Sequence, residues 1–391
     1  MKLQNNLPWW GPPKFFSPEI SDRKISWLEL FYDLVYVLAI SKITHHLSED
    51  FSLEGLKNYF YLFSIIFWGW LNGSLYHDLH GSNGLRTYLM TLWQMIIVAA
   101  LVVTLSSSQS QTGVTIVILI MQVFITYLWW SVGIYDKSHR RLNLPYTICF
   151  LISFFVLLFS LSVPSNFNFY WHLIAIFFNY LPPFLLTKEL KRSNNDFSFS
   201  KSMTERLGLF TIIIFGEVVI GVVNGISEVN HLNFLTWINF GFGILIVFTL
   251  WWLFFSMVAD KEIRHGFLWS NLMALVYIPT LMALGIIGVS FSKLFHNADF
   301  YQFHLFRLSL GIAIGIFLLG VLFITYFVKY NEEVHNKQPI TYGIAGVSLF
   351  FIFYSFFHLN SLFIYLTVIL VVLLSLIAFI SFCFFEIKNN S

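Results

Sequence analysis

The sequence predicts an all-α protein, a polytopic transmembrane bundle of about twelve spans arranged as two parallel six-helix repeats. Three observations carry that expectation. Of 391 residues, 57% are hydrophobic and only 11% charged, where a soluble chain carries roughly 25% charged residues. Apolar runs of roughly 20 residues, enough to cross a bilayer core, recur along the whole length. The loops between them alternate between rich and poor in basic residues, as the positive-inside rule demands of a correct span count. A soluble enzyme is excluded on composition. The net charge of +2 is spread over short loops, which argues against a nucleic-acid partner.

Residues 1–26 are polar, interrupted by proline, and carry Trp9, Trp10, Phe15 and Phe16 beside Lys14. That composition suits a cytoplasmic segment lying at the headgroup level and lacks the early apolar core of a cleavable signal. The spans then follow at about 27–47, 56–76, 87–107, 113–134, 145–163 and 169–187 in the first half, residues 27–187. A cytoplasmic linker, 188–204, separates them from spans at about 205–226, 233–257, 267–290, 304–328, 340–357 and 362–385 in the second half, residues 205–385. A short tail, 386–391, ends the chain as given.

Lys57 and Lys293 are the bases of one set of loops, Lys42 and Arg307 fall inside spans, and every other Lys and Arg lies on the opposite side. This distribution predicts a multi-pass membrane protein with both termini cytoplasmic. The two halves share further features in register. Ser26 and Glu29 open the first span, as Ser202 and Glu205 open the seventh, each pair a Ser-x-x-Glu capping box. Trp70, Ser74 and Asp78 recur at the spacing of Trp252, Ser256 and Asp260.

Ionisable residues inside a bilayer cost about 2.5–3.5 kcal/mol each on insertion scales and are functional candidates by default. Capping explains Glu29 and Glu205. It does not explain Asp33, roughly 10 Å beyond the cap of the first span, or Glu217, roughly 22 Å along the seventh. Each acid has two readings: a proton or cation site within the bundle, or a packing contact with a neighbouring helix. Lys42 and Arg307 lie at the depth of Glu217, while Arg86, Arg141 and Arg206 lie nearer Asp33. Lys42 also has the option of snorkelling to the interface.

Cys149 and Cys383 stand in apolar runs and suggest neither a disulfide nor a metal site. His45, His46, His172, His231, His296, His304 and His358 map to the outer ends and read as interfacial, so no metal or cofactor is predicted. Gly221 with Gly225, and Gly311 with Gly315, have the four-residue spacing of close helix packing. Zinc-protease and serine-hydrolase motifs do not occur, and no catalytic residue is assigned.

The segments ISWLELFYDLVYVLAISKITHHL and TERLGLFTIIIFGEVVIGVV, with the Trp-Trp pair of the eighth span, resemble the bacterial low temperature requirement A family from about residue 24 to 290. The resemblance implies a bacterial multi-spanning membrane protein linked by name to growth in the cold. Its motif positions fall on Glu29, Phe31, Asp33, Glu205, Arg206, Gly208, Gly216 and Glu217. Ser256 and Met257 stand where relatives often have an acid, Tyr277 where they often have His, and Gly-Ser-Asn-Gly at 81–84 replaces an acidic loop.

Twelve spans, a repeat and intramembrane acids point to a secondary transporter or permease for a small solute or ion, proton coupling included. Asp33 and Glu217 are then the coupling acids, with Arg206, Arg307 and Lys42 as partners. A membrane enzyme acting on lipid or a buried cofactor, and a sensor or assembly factor, are the alternatives.

Overall fold

The computed structural model describes residues 24–81, 84–106, 111–135, 140–192, 197–227, 229, 233–259, 261–295, 300–329, 338–357 and 361–389. Nearly all of the expected interfacial segment, together with His231, His296, His358 and Asp260, lies outside them.

Thirteen helices run through the described residues: α1 Trp27–Glu49, α2 Leu53–His80, α3 Leu85–Ser106, α4 Gln111–Tyr135, α5 Arg140–Ser160, α6 Ser165–Tyr180, α7 Pro182–Arg192, α8 Lys201–Ser227, α9 Phe234–Val258, α10 Phe267–Phe295, α11 Phe300–Phe327, α12 Gln338–Tyr354 and α13 Leu362–Asn389. The chain is an all-helical, multi-pass membrane protein. Among the described residues nine apolar stretches are long enough to cross a bilayer, and α12 is a shorter apolar helix. The fourth of these along the chain is divided, because Phe167–Thr187 contains the break between α6 and α7 at Pro182. Proline supplies no N–H and is favoured at the first position of a new helix. The α1 and α2 helices fall outside the apolar set although both are long enough to span. Glu29, Asp33 and Lys42 lower the hydropathy of α1, as Asn72, His77 and His80 lower that of α2.

Two compact units are present. The first comprises residues 1–43, 52–206 and 265–268, and the second 44–51, 207–264 and 269–391. The first is built around α2, which is buried almost continuously from Tyr59 to His80 and packs on α3, α4 and α6. In the second, α9 packs on α11 and α13, while α12 packs on both α11 and α13.

Helix α1 shows how a span with two apolar-looking faces is oriented. Trp27, Phe31, Leu34 and Leu38 form one exposed stripe, whereas Glu29, Tyr32, Asp33, Tyr36 and Val37 are buried. With lipid as solvent the outward face is as apolar as a core, so polar side chains mark the inward face. The two triads that suggested a repeat meet different surroundings. Trp70 and Ser74 are fully buried, while Trp252 and Ser256 are exposed.

Packing uses both amide pairs and bare backbone. Gln122 on α4 donates to Asn179 on α6 at 2.8 Å, and Asn179 donates back at 3.2 Å. Interhelical polar pairs in membranes average about 0.6 kcal/mol and reach about 1.7. A double-mutant cycle with Gln122→Leu and Asn179→Leu is therefore expected to give a coupling of about 1 kcal/mol in an unfolding titration. Between α9 and α10, Ile263 forms a single antiparallel bridge with Val328. The turn that follows requires Gly266, whose φ is 128°.

Candidate functional site

The first unit gathers charge at the start of α1 and α8. Ser26 precedes α1 and exchanges hydrogen bonds with Glu29: the Ser26 amide and hydroxyl both donate to Oε2 at 2.9 Å, and the Glu29 amide donates to Ser26 Oγ at 3.3 Å. This is the reciprocal box of a helix start. One turn on, Asp33 is 1% exposed. Its carboxylate accepts from Arg206 Nη2 at 2.5 Å, Arg206 Nε at 3.1 Å and Trp70 Nε1 at 2.7 Å. Arg206, itself 1% exposed, also reaches Glu29 Oε1 at 3.4 Å. Helical spacing places Glu29 and Asp33 on the same face, so a single guanidinium serves both.

Aromatic rings close the group. The Arg206 guanidinium carbon lies 5.6 Å from the Tyr32 ring centre and 5.9 Å from that of Trp70. Such placement over π faces favours a cation out of water. The fork of two N–H groups on one carboxylate is available to Arg and not to Lys.

Of the three bases near Asp33 in sequence-derived depth, geometry selects Arg206. Arg86 donates instead to Ser131 Oγ at 3.0 Å, and Arg141 is exposed. The start of α8 differs from the expected Ser202–Glu205 box. Helix α8 is capped by Ser200, whose Oγ accepts from the Met203 amide at 2.9 Å and donates to Asp78 at 2.7 Å. Ser202 Oγ is buried without a hydrogen bond, and Glu205 is exposed at the head of the outward stripe of α8 that continues through Ile212 and Gly216. The cap moves because Ser200 gains a tertiary partner that Ser202 lacks.

The remaining candidates lie elsewhere. Lys42 is half-buried on α1, and Glu217 is half-buried about three turns beyond Arg206 along α8. Arg307 on α11 is 2% exposed. It donates to the Phe357 carbonyl and to His304 Nδ1, and its own carbonyl accepts from the Tyr365 hydroxyl at 2.8 Å. It thus ties the end of α12 to α11. His172 stacks on Tyr61 with ring centres 3.8 Å apart. Two participants were not picked out as site residues from the sequence. In the sequence Trp70 stands out only by its spacing, and Tyr32 lies next to Asp33, an adjacency that does not show its ring meeting Arg206.

The residues that build this group sit inside a match that extends over 24–380 to the family described as bacterial low temperature requirement A protein. The chain belongs to that family. The match covers nearly the whole chain, beyond the 24–290 in which the resemblance is visible by eye. No curated protein matches the chain. Among the low temperature requirement A motif positions, Glu29, Asp33 and Arg206 converge on one another, whereas Phe31 and Glu205 face outward.

Proposed function

We propose that this low temperature requirement A protein is a proton-coupled secondary transporter of the bacterial inner membrane, with both termini cytoplasmic and the Asp33–Arg206 pair as its coupling element. The observation that supports this reading is the pair itself. Two charged side chains, each 1% exposed, stand within long helices whose outward stripes are apolar beyond Glu205. Each costs about 2.5–3.5 kcal/mol on insertion scales. A structural contact of the same strength is available from leucines, so the charges point to a task that needs a titratable group. Protonation of Asp33 would remove half of the pair and free the Arg206 fork to engage an incoming anion or a rearranged Glu29. That is a two-state element of the kind coupling requires. The placement of basic residues in alternate loops supports the orientation.

The test is proton flux in proteoliposomes loaded with a pH-sensitive dye, run against a panel of small solutes. Asp33→Asn is expected to slow solute-dependent flux at least tenfold, with the protein still folded because the asparagine Oδ1 still accepts from Arg206 Nη2 and Trp70 Nε1, the bond to Arg206 Nε alone being lost. Glu217→Gln in the same assay assigns Glu217. A comparable loss makes it a second coupling acid, and unchanged flux removes it from that role. Wild-type flux in Asp33→Asn contradicts the proposal.

A further inference from the structure

Gly69 and Gly73 stand about one turn apart on α2, and the side chains that fill the space over them differ. A Cβ on Gly73 would collide with the Tyr32 hydroxyl, and it would stand 3.0 Å from Tyr32 Cζ and 2.5 Å from Gln94 Oε1. One on Gly69 would meet Met121 Sδ at 2.9 Å and the Tyr36 hydroxyl at 3.3 Å, with no Tyr32 atom among its three nearest neighbours. These obstacles do not yield equally. Met121 and Gln94 have flexible side chains whose ends can turn aside. The Tyr32 phenol is rigid, so its hydroxyl cannot retreat without carrying the ring with it. That ring is enclosed. It is 1% exposed, lies 4.7 Å from the Tyr36 ring and 6.3 Å from that of His77, and has the Arg206 guanidinium carbon 5.6 Å from its centre.

We propose that Gly73 is a positioning residue for the charge pair: its missing side chain seats the Tyr32 hydroxyl against α2 and so holds the Tyr32 ring at the Arg206 guanidinium. Cation–π attraction reaches to about 6 Å from a ring centre, and the Tyr32 ring already stands near that limit. Bringing a Cβ on residue 73 to ordinary contact requires the hydroxyl to move by about 1 Å or more. A movement of that size carries the ring away from Arg206 or parts α1 from α2. Either reaches the pair, because Asp33 follows Tyr32 on α1 and its donor Trp70 stands on α2 close to Gly73 in sequence. Gly73 thus acts through Tyr32. The weight of this contact in transport rests on the proton-coupled reading above, whereas the positioning rests on the packing alone.

The test reads the Arg206 guanidinium resonance by proton-detected solid-state NMR of the arginine-labelled full chain in lipid, assigned by its loss in Arg206→Lys. The Tyr32 and Trp70 rings beside Arg206 displace that resonance through their ring currents, and Tyr32→Leu sets the scale. Gly73→Ala is expected to shift it by roughly half of the Tyr32→Leu change or more. Tyr32→Phe keeps the ring and removes the hydroxyl, so Gly73→Ala/Tyr32→Phe is expected to return to the position of Tyr32→Phe alone. Gly69→Ala, which meets Met121 instead of Tyr32, is expected to leave the wild-type position unchanged. A wild-type resonance in folded Gly73→Ala overturns the proposal. So does a double variant that stays at the Gly73→Ala position, or a Gly69→Ala shift as large as that of Gly73→Ala. If Gly73→Ala does not fold, the double variant decides: recovery of the fold with the Tyr32→Phe resonance supports the contact, and failure to recover overturns it. None of these outcomes depends on solute flux, so a failure here is distinct from a failure of the transport reading.

Discussion

Replacing Arg206 with leucine is expected to destabilise the protein by about 3–5 kcal/mol, because it leaves the Asp33 charge buried with Trp70 as its remaining hydrogen-bond donor. The size of the effect follows from desolvation, not from the strength of the contact. Asp33 is 1% exposed, so the charge is left away from bulk water when the two guanidinium bonds are lost. The converse variant, Asp33→Leu, leaves Arg206 with Glu29 at 3.4 Å and two aromatic faces. It is expected to be the milder single change. Removing both partners gives a different result. Buried ion pairs exchanged for apolar residues of similar volume are often neutral or stabilising by about 1–4 kcal/mol, so the Asp33→Leu/Arg206→Leu protein is expected to unfold near the wild-type midpoint. Detergent-induced unfolding in mixed micelles, followed for the wild type, both single variants and the double, measures the full cycle.

The second large effect lies in the second unit, where α8 and α10 pack backbone to backbone. A Cβ on Gly221 would stand 2.8 Å from the carbonyl carbon and 2.9 Å from the Cα of Gly288, and one on Gly225 would stand 2.8 Å from the Ser292 carbonyl oxygen. The obstructing atoms are main chain, so no side chain can turn aside and the helices must separate. Gly221→Ala is expected to cost about 1–3 kcal/mol, the range of overpacked cores. Gly216, five residues earlier on the same helix, has nothing within 4 Å of its Cβ position. There the same substitution is expected to stabilise by up to about 1 kcal/mol through helix propensity. Opposite signs from one substitution on one helix, read in a single unfolding series, check the contact.

How far the sequence foretold this structure depends on what each feature answers to. Spans were legible because twenty apolar residues have few alternatives to lipid, and observed helices begin and end within a few residues of the expected runs. The break at Pro182 was hidden because proline is compatible with either a kink or a new helix. The cap at Ser26 was readable because it depends only on local residues, and the one at Ser200 was not, because a partner on α2 decides it. Asp33 stood out by depth and residue type. Its choice of Arg206 over Arg86 did not, since rotation of α3 and α8 about their axes determines which base faces inward.

The charge pair is the point on which the functional reading turns, and the leucine double variant separates structure from function. Solute-dependent proton flux through Asp33→Leu/Arg206→Leu in proteoliposomes, with protein shown to unfold at the wild-type midpoint, is the direct measurement. The account predicts a folded transporter whose flux falls to the level of empty liposomes. Flux at the wild-type rate in that folded protein would contradict it.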